Sequence, residues 1–120
     1  MLYLIISLSL VGQAFVLDGD TISVDDSRIR LWGLDAPEWD SQRGQASRDY
    51  LIGLLKNKEV RCDDTGERSY ERVVARCFVG HEDLTELMIR AGHGRPYCRF
   101  VGDTYNDAAI ASGQRPCRAR

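Results

Sequence analysis

Three β-rich runs joined by tight turns, a helical stripe after the third, and two more strands leading into a capped helix predict an α+β chain. That element order is the one expected of a five-stranded OB-fold β-barrel with two to three helices, the first inserted after the third strand. At 120 residues the chain has one domain's length. Its 43% apolar and 28% charged residues suit a globular protein that buries a core. Residues 11–120 are read as the domain. Residues 1–10 are read as an apolar segment, either an extension of the first strand or the remnant of an export signal.

No charged side chain precedes Asp18. The opening MLYLIISLSLVG is shorter than the about 20 apolar residues a bilayer span needs, so no stable membrane insertion is expected. It lacks the basic start of a signal peptide, and cleavage after Ala14 would remove most of the first strand.

The first strand is expected over Val11–Leu17, and Asp18-Gly19 turns it into a second strand in DTISV. Asp25-Asp26-Ser27 is the next turn, and Arg28–Leu34 is a third strand rich in β-formers. Pro37 ends it, and EWDSQRG reads as a polar loop. A helix is expected from Gln45 to Asn57, with Ala46, Tyr50, Leu51, Leu54 and Leu55 as its apolar stripe. Lys58–Asp63 reads as the fourth strand, DDTGERS as a loop and Tyr70–Val79 as the fifth strand. Asp83 and Glu86 form a capping-box pattern for a helix with Leu84, Leu87, Met88 and Ala91 on one face. Gly92 stands where a C-terminal cap belongs. A last short helix is expected within Thr104–Ser112.

The cysteines at 62, 77, 98 and 117 form no C-x-x-C, and His81 and His93 fall into no zinc-finger spacing. Of the three possible pairings, facing strands of one hairpin favour Cys62–Cys77. Cys98–Cys117 would then staple the C-terminal segment to the body. Four reduced, buried thiols are the alternative. An even count in a small domain points to an oxidising compartment, hence a periplasmic or extracellular location.

The net charge of -2 excludes a uniformly basic nucleic-acid binder. The charge is uneven, however. From Ile89 onward six arginines face only Asp103 and Asp107, a local balance of +4. Such an end can steer a polyanion, although solvated surface arginines are the commoner explanation.

Two acidic motifs, DGDT (18–21) and DAPE (35–38), sit at strand ends. In a three-stranded meander both fall at one end of the barrel, which brings Asp20 and Asp35 together. Converging carboxylates repel unless a cation lies between them. Their hard oxygens suit calcium or magnesium. Alone, Asp-Gly marks a hairpin and Asp-Ala-Pro-Glu ends a strand. Arg30, with Arg72 as a second guanidinium, shifts the balance: a metal and two fixed cations are what a phosphodiester transition state needs. Glu38 is a free carboxylate able to take a proton from water.

The segments VLDGDTISV, IRLWGLDAPE, GQASRDYLIGLL, YERVVARCFV and LTELMIRAGHG, in this order over about Val11 to Gly94, resemble the thermonuclease (staphylococcal nuclease-like) family. The resemblance implies a calcium-dependent OB-fold endonuclease. It would hydrolyse DNA and RNA, single strands preferred, as a monomer, and leave 3′-phosphates. By position Asp20 and Asp35 match the metal-binding carboxylates, and Ala36 matches the residue offering its carbonyl. Glu38 matches the general base, and Arg30 and Arg72 the phosphate-binding arginines. Tyr70 and Tyr97 match tyrosines at the nucleotide pocket. Asp18 shapes the turn.

The chain departs from the family pattern where Glu71 replaces a glycine, which places a carboxylate beside Arg72. Arg68 stands for an aspartate, Ser69 for a lysine, and EWDSQRG is short. Beyond Gly94 the Arg-rich tail is this chain's own. The alternative is a weak or inactive OB-fold nucleic-acid-binding module, since OB-folds hold single strands by stacking and charge. A third reading is a secreted structural or regulatory protein whose site persists unused. The presence of all five side chains, at 20, 30, 35, 38 and 72, favours the enzyme.

Overall fold

The computed structural model describes residues 9–118. Met1–Ile6 lie outside them, while Ser9 and Leu10 already belong to the first strand. β1 (Ser9–Asp18), β2 (Thr21–Val24) and β3 (Ser27–Leu31) form the antiparallel meander. Asp25 and Asp26 both take left-handed φ (51° and 63°), the geometry of a type I′ hairpin turn. The expected third strand splits here. Gly33, with φ 77°, breaks it after Leu31, and Leu34–Asp35 becomes a separate strand, β4.

α1 (Gln42–Leu55) starts three residues earlier than expected, because the Ser41 hydroxyl accepts the Gly44 amide as an N-cap. Its buried positions are Gly44, Ser47, Leu51 and Leu55, while Ala46 and Tyr50 are exposed. Two of the expected stripe residues therefore face solvent. The helix packs through small residues: a Cβ on Gly44 would collide with the Glu38 backbone, and one on Gly19 with Ser47.

β5 (Glu59–Ser69) runs straight through the expected loop DDTGERS and absorbs it in a register shift between Asp64 and Arg68. The turn falls at Tyr70–Glu71, so β6 begins at Arg72 and ends at Val79. Tyr70 is a turn residue with φ 57°, not a strand residue. β7 (Glu82–Asp83) leads into α2 (Leu84–Arg90). Asp83 accepts the Thr85 and Glu86 amides, and Gly92 follows the C-cap with φ 79°, as the capping pattern predicted. The helix buries Thr85 and Ile89 beside Leu84 and Met88, whereas Ala91 is exposed. β8 (Arg95–Pro96), α3 (Cys98–Val101) and α4 (Asn106–Ala111) complete the chain. With α3 the described residues hold four helices rather than two to three.

The sheet order β3-β2-β1-β5-β6-β7 closes into a five-stranded barrel because β3 also pairs with β6 in parallel, Arg30 opposite Val74. Closure leaves no barrel edge open. Ile22, Val24, Ile29, Leu31, Leu34, Leu51, Val60 and Met88 fill the interior with negligible exposure. β4 and β8 form a small ribbon on the outside, Leu34 opposite Pro96 and Asp35 opposite Arg95.

Both expected disulfides are present. Cys62 and Cys77 face each other across β5 and β6, and Cys98–Cys117 ties the last segment to α3. Loops of 15 and 19 residues are closed, each contributing about 3 kcal/mol on chain-entropy grounds. Asn106 adds two bonds to the Cys117 backbone.

Candidate active site

The turn between β1 and β2 is built by its own aspartate. The Asp18 carboxylate accepts the Asp20 amide at 3.2 Å, the local bond expected of an Asx turn. Burial, followed by the hydrogen bond and charge of Asp20, raises the Asp18 pKa above the ordinary carboxylate value. Gly19 is buried against Ser47 and Ala36, which lays the turn on the residue after Asp35. The two acidic motifs thus meet at one barrel end.

Arg30 stands beside this turn because Thr21 and Arg30 are cross-strand partners. Its guanidinium bonds Asp20 Oδ2 at 2.9 Å and the Leu34 carbonyl at 3.1 Å. One arginine therefore links the β1–β2 turn to the start of β4. The Leu31 amide, donating to the Asp20 carbonyl at 2.8 Å, fixes the same junction.

Arg72 reaches the cluster from β6. It donates to the Ser69 carbonyl at 3.2 Å, to Ser69 Oγ at 3.0 Å and to Thr21 Oγ at 3.1 Å. The Thr21 hydroxyl in turn donates to Asp20 Oδ1 at 2.9 Å. A continuous chain results: Arg30, Asp20, Thr21, Arg72, Ser69. Glu71 forms no ion pair with Arg72 among the described residues. The tight turn at 70–71 sets the arginine opposite Ser69, its cross-strand partner on β5. Thr21, 4% exposed, was read only as part of DGDT. Its place next to Asp20 and opposite Arg30 was the available signal.

Asp35 is half-exposed and meets Arg95 Nη2 at 3.4 Å across the β4–β8 ribbon. Glu38 lies in the loop before α1. Its carbonyl accepts the Ser41 amide and hydroxyl, while its carboxylate is exposed and makes no bond among the described residues. Asp20, Arg30 and Arg72 are thus joined through Thr21, and Ala36 lies against the same turn at Gly19, while the Asp35 carboxylate pairs with Arg95 and Glu38 sits on the loop before α1.

A pocket of about 190 Å³ opens beside Arg30, walled by Trp32, Ser69, Tyr97 and Phe100. The rings of Tyr97 and Phe100 lie 4.9 Å apart at a tilt. Phe100 was missed because α3 carries no recognisable start signal. Tyr70 does not line this pocket. It is 95% exposed on the turn, with the Arg72 guanidinium 5.9 Å from its ring. Trp39 is exposed in the loop. Trp32 packs partly into the core against Tyr105, and His93 stacks on Tyr50 at 4.6 Å, both structural roles.

The donors at the mouth are carboxylate and carbonyl oxygens, the chemistry of a hard cation. Asp20 spends one lone pair on each oxygen and Asp35 one on Oδ2, so acceptor capacity remains on both. The donor chemistry of Asp20 and Asp35 suits a hard cation, and no cluster of three or more His, Cys, Asp or Glu side chains able to hold a metal is found among the described residues.

Residues 28–115 match the family described as Staphylococcal nuclease homologue. The succinoglycan biosynthesis protein ExoI of Rhizobium meliloti (strain 1021) is 30% identical over 92% of the chain. An uncharacterized endonuclease of Escherichia coli is 34% identical over 73%, and the thermonuclease of Staphylococcus intermedius 30% over 75%. In each case the matched part spans 61% of the relative's own length.

Proposed function

The chain belongs to the staphylococcal nuclease homologue family, and from that premise we propose that it is a calcium-dependent endonuclease. It hydrolyses phosphodiester bonds of DNA and RNA, preferring single strands and acting as a monomer. The observation that carries this reading is the bonded chain Arg30–Asp20–Thr21–Arg72 beside Asp35. Two guanidiniums and one carboxylate are bonded into a line where a barrel without chemistry needs none of them.

Asp20, Asp35 and the Ala36 carbonyl would hold the cation. Bound there, calcium supplies positive charge to a non-bridging phosphate oxygen. Glu38 takes the proton of a water attacking in line; its lack of partners leaves it free to do so. Arg30 and Arg72 are held by two and three hydrogen bonds respectively, so their charges are pre-oriented toward the phosphate. Tyr97 stacks on a base in the 190 Å³ pocket, and Tyr70 shields Arg72 from the rim. The two disulfides support an exported, oxidising location.

A binding module without hydrolysis is the second reading. It is favoured by the Arg30–Asp20 and Arg95–Asp35 pairs, which occupy an oxygen of each carboxylate. Incubation with denatured DNA separates the two. The enzyme predicts cleavage in calcium that stops in chelator, and Glu38→Gln lowering kcat by about 10²- to 10⁴-fold. Binding of DNA without cleavage in calcium overturns it.

A further inference from the structure

Two cavities open at opposite ends of the β4–β8 ribbon. The aromatic pocket lies at the Gly33–Tyr97 end, where the Tyr97 amide bonds the Gly33 carbonyl at 2.8 Å. At the Asp35–Arg95 end lies a larger cleft of about 600 Å³, also lined by Ala36, Arg43, His93 and Gln114. Asp35 lines the cleft, and Arg30 lines the aromatic pocket. Gly33 and Asp35 are two residues apart, at most about 7 Å of chain, so one short polymer reaches both cavities.

The cleft has a fixed floor. The Gln114 side-chain NH2 shares its two hydrogens among the Gly94 carbonyl at 2.9 Å, Ser112 Oγ at 2.8 Å and the Ile89 carbonyl at 3.3 Å. The Ser47 hydroxyl bonds the His93 carbonyl at 2.7 Å. Together these tie the ends of α2 and α4 and the middle of α1 around one hollow.

Its charges are not spent on the fold. Arg43 makes no hydrogen bond or ion pair among the described residues. Arg95 is 77% exposed, and its 3.4 Å contact with Asp35 is long. An exposed pair of that kind contributes about 0–1 kcal/mol. Two arginines thus face a hollow whose lining holds one carboxylate, and 600 Å³ lies within the size range of ligand sites.

We infer that this cleft is a second subsite, in which Arg43 and Arg95 bind the backbone phosphate flanking the scissile bond on the side away from the Tyr97 pocket. The inference rests on the nucleic-acid reading of the site. It adds the residues that make a polynucleotide, rather than a mononucleotide ester, the preferred substrate. Guanidinium forks match phosphate oxygens in charge and geometry.

The test is fluorescence anisotropy of a labelled short oligothymidylate in chelator, where nothing is cut, titrated with salt. The full chain is compared with R43A, R95A, the double variant and R61A, the last a β5 arginine that lines neither cavity. Each cleft substitution reduces the slope of log affinity against log salt by about 0.7, the pair by about 1.4, and R61A leaves it unchanged. In calcium, R43A raises KM for the oligonucleotide about tenfold and leaves KM for the nitrophenyl ester of thymidine 5′-phosphate unchanged. An unchanged salt slope in the double variant overturns the subsite, whether or not the protein cleaves. Cleavage absent alongside the predicted slopes overturns the hydrolase and keeps the cleft. Absence of any oligonucleotide binding by the unaltered chain overturns both.

Discussion

Thr21→Val isolates the hydroxyl that joins the two halves of the site. Valine keeps the shape of threonine and removes one donor and one acceptor, the 2.9 Å bond to Asp20 and the 3.1 Å bond from Arg72. Each hydrogen bond to a charged group is worth about 1.5–3 kcal/mol when its partner stays dry. Here both partners are part-exposed, with other bonds: Asp20 keeps Arg30, and Arg72 keeps two to Ser69. Water therefore recovers much of the loss, and urea unfolding should show about 1–2 kcal/mol of destabilisation. Arg72 loses the contact that aims it at Asp20, so kcat on denatured DNA falls about tenfold while KM changes less than about twofold. Thr21→Ser restores the hydroxyl and with it most of kcat. Full activity in Thr21→Val would refute the argument that Arg72 acts through this chain. A loss in Thr21→Ser equal to that in Thr21→Val would refute the role of the hydroxyl.

Three other outcomes are expected. Tyr105, buried with its hydroxyl 2.6 Å from Asp83, has its pKa raised above the ordinary 10.0, first by burial and then by that bond. The folded chain keeps this proton after the unfolded chain has lost it, so stability falls as pH rises above about 10, by up to about 1.4 kcal/mol per pH unit; Tyr105→Phe flattens that slope in denaturation curves. Gly44→Ala pushes on the Glu38 backbone and should lower both stability, by about 1–3 kcal/mol, and kcat, as read by thermal melts and turnover. Tyr97→Ala raises KM about tenfold through lost stacking, whereas Tyr70→Ala, outside the pocket, changes it by about twofold at most in the same assay.

What was legible in the sequence was local. The Asp18-Gly19 turn and the Asp83 cap follow from side chains bonding their neighbouring backbone, and the Asp25-Asp26 turn from two residues that tolerate left-handed φ. The placing of DGDT and DAPE at one barrel end followed from the meander; the register that sets Arg30 opposite Thr21 did not. The parallel pairing of β3 with β6 leaves no such mark, yet it brings Arg72 to Thr21. DDTGERS looked like a loop by composition, but ladder bonds on both sides of the register shift hold it as strand. The face of α1 was misread because Gly44 and Ser47, not large apolar residues, make its closest contacts. Phe100 sits on a four-residue helix whose N-cap Tyr97 makes no side-chain bond, so no capping signal announced it.

In the proposed mechanism Asp20 and Asp35 share one divalent ion. Calcium titration by calorimetry should give one site per chain, weakened at least about tenfold by Asp20→Asn and by Asp35→Asn alike. A calcium affinity untouched by either substitution would contradict it.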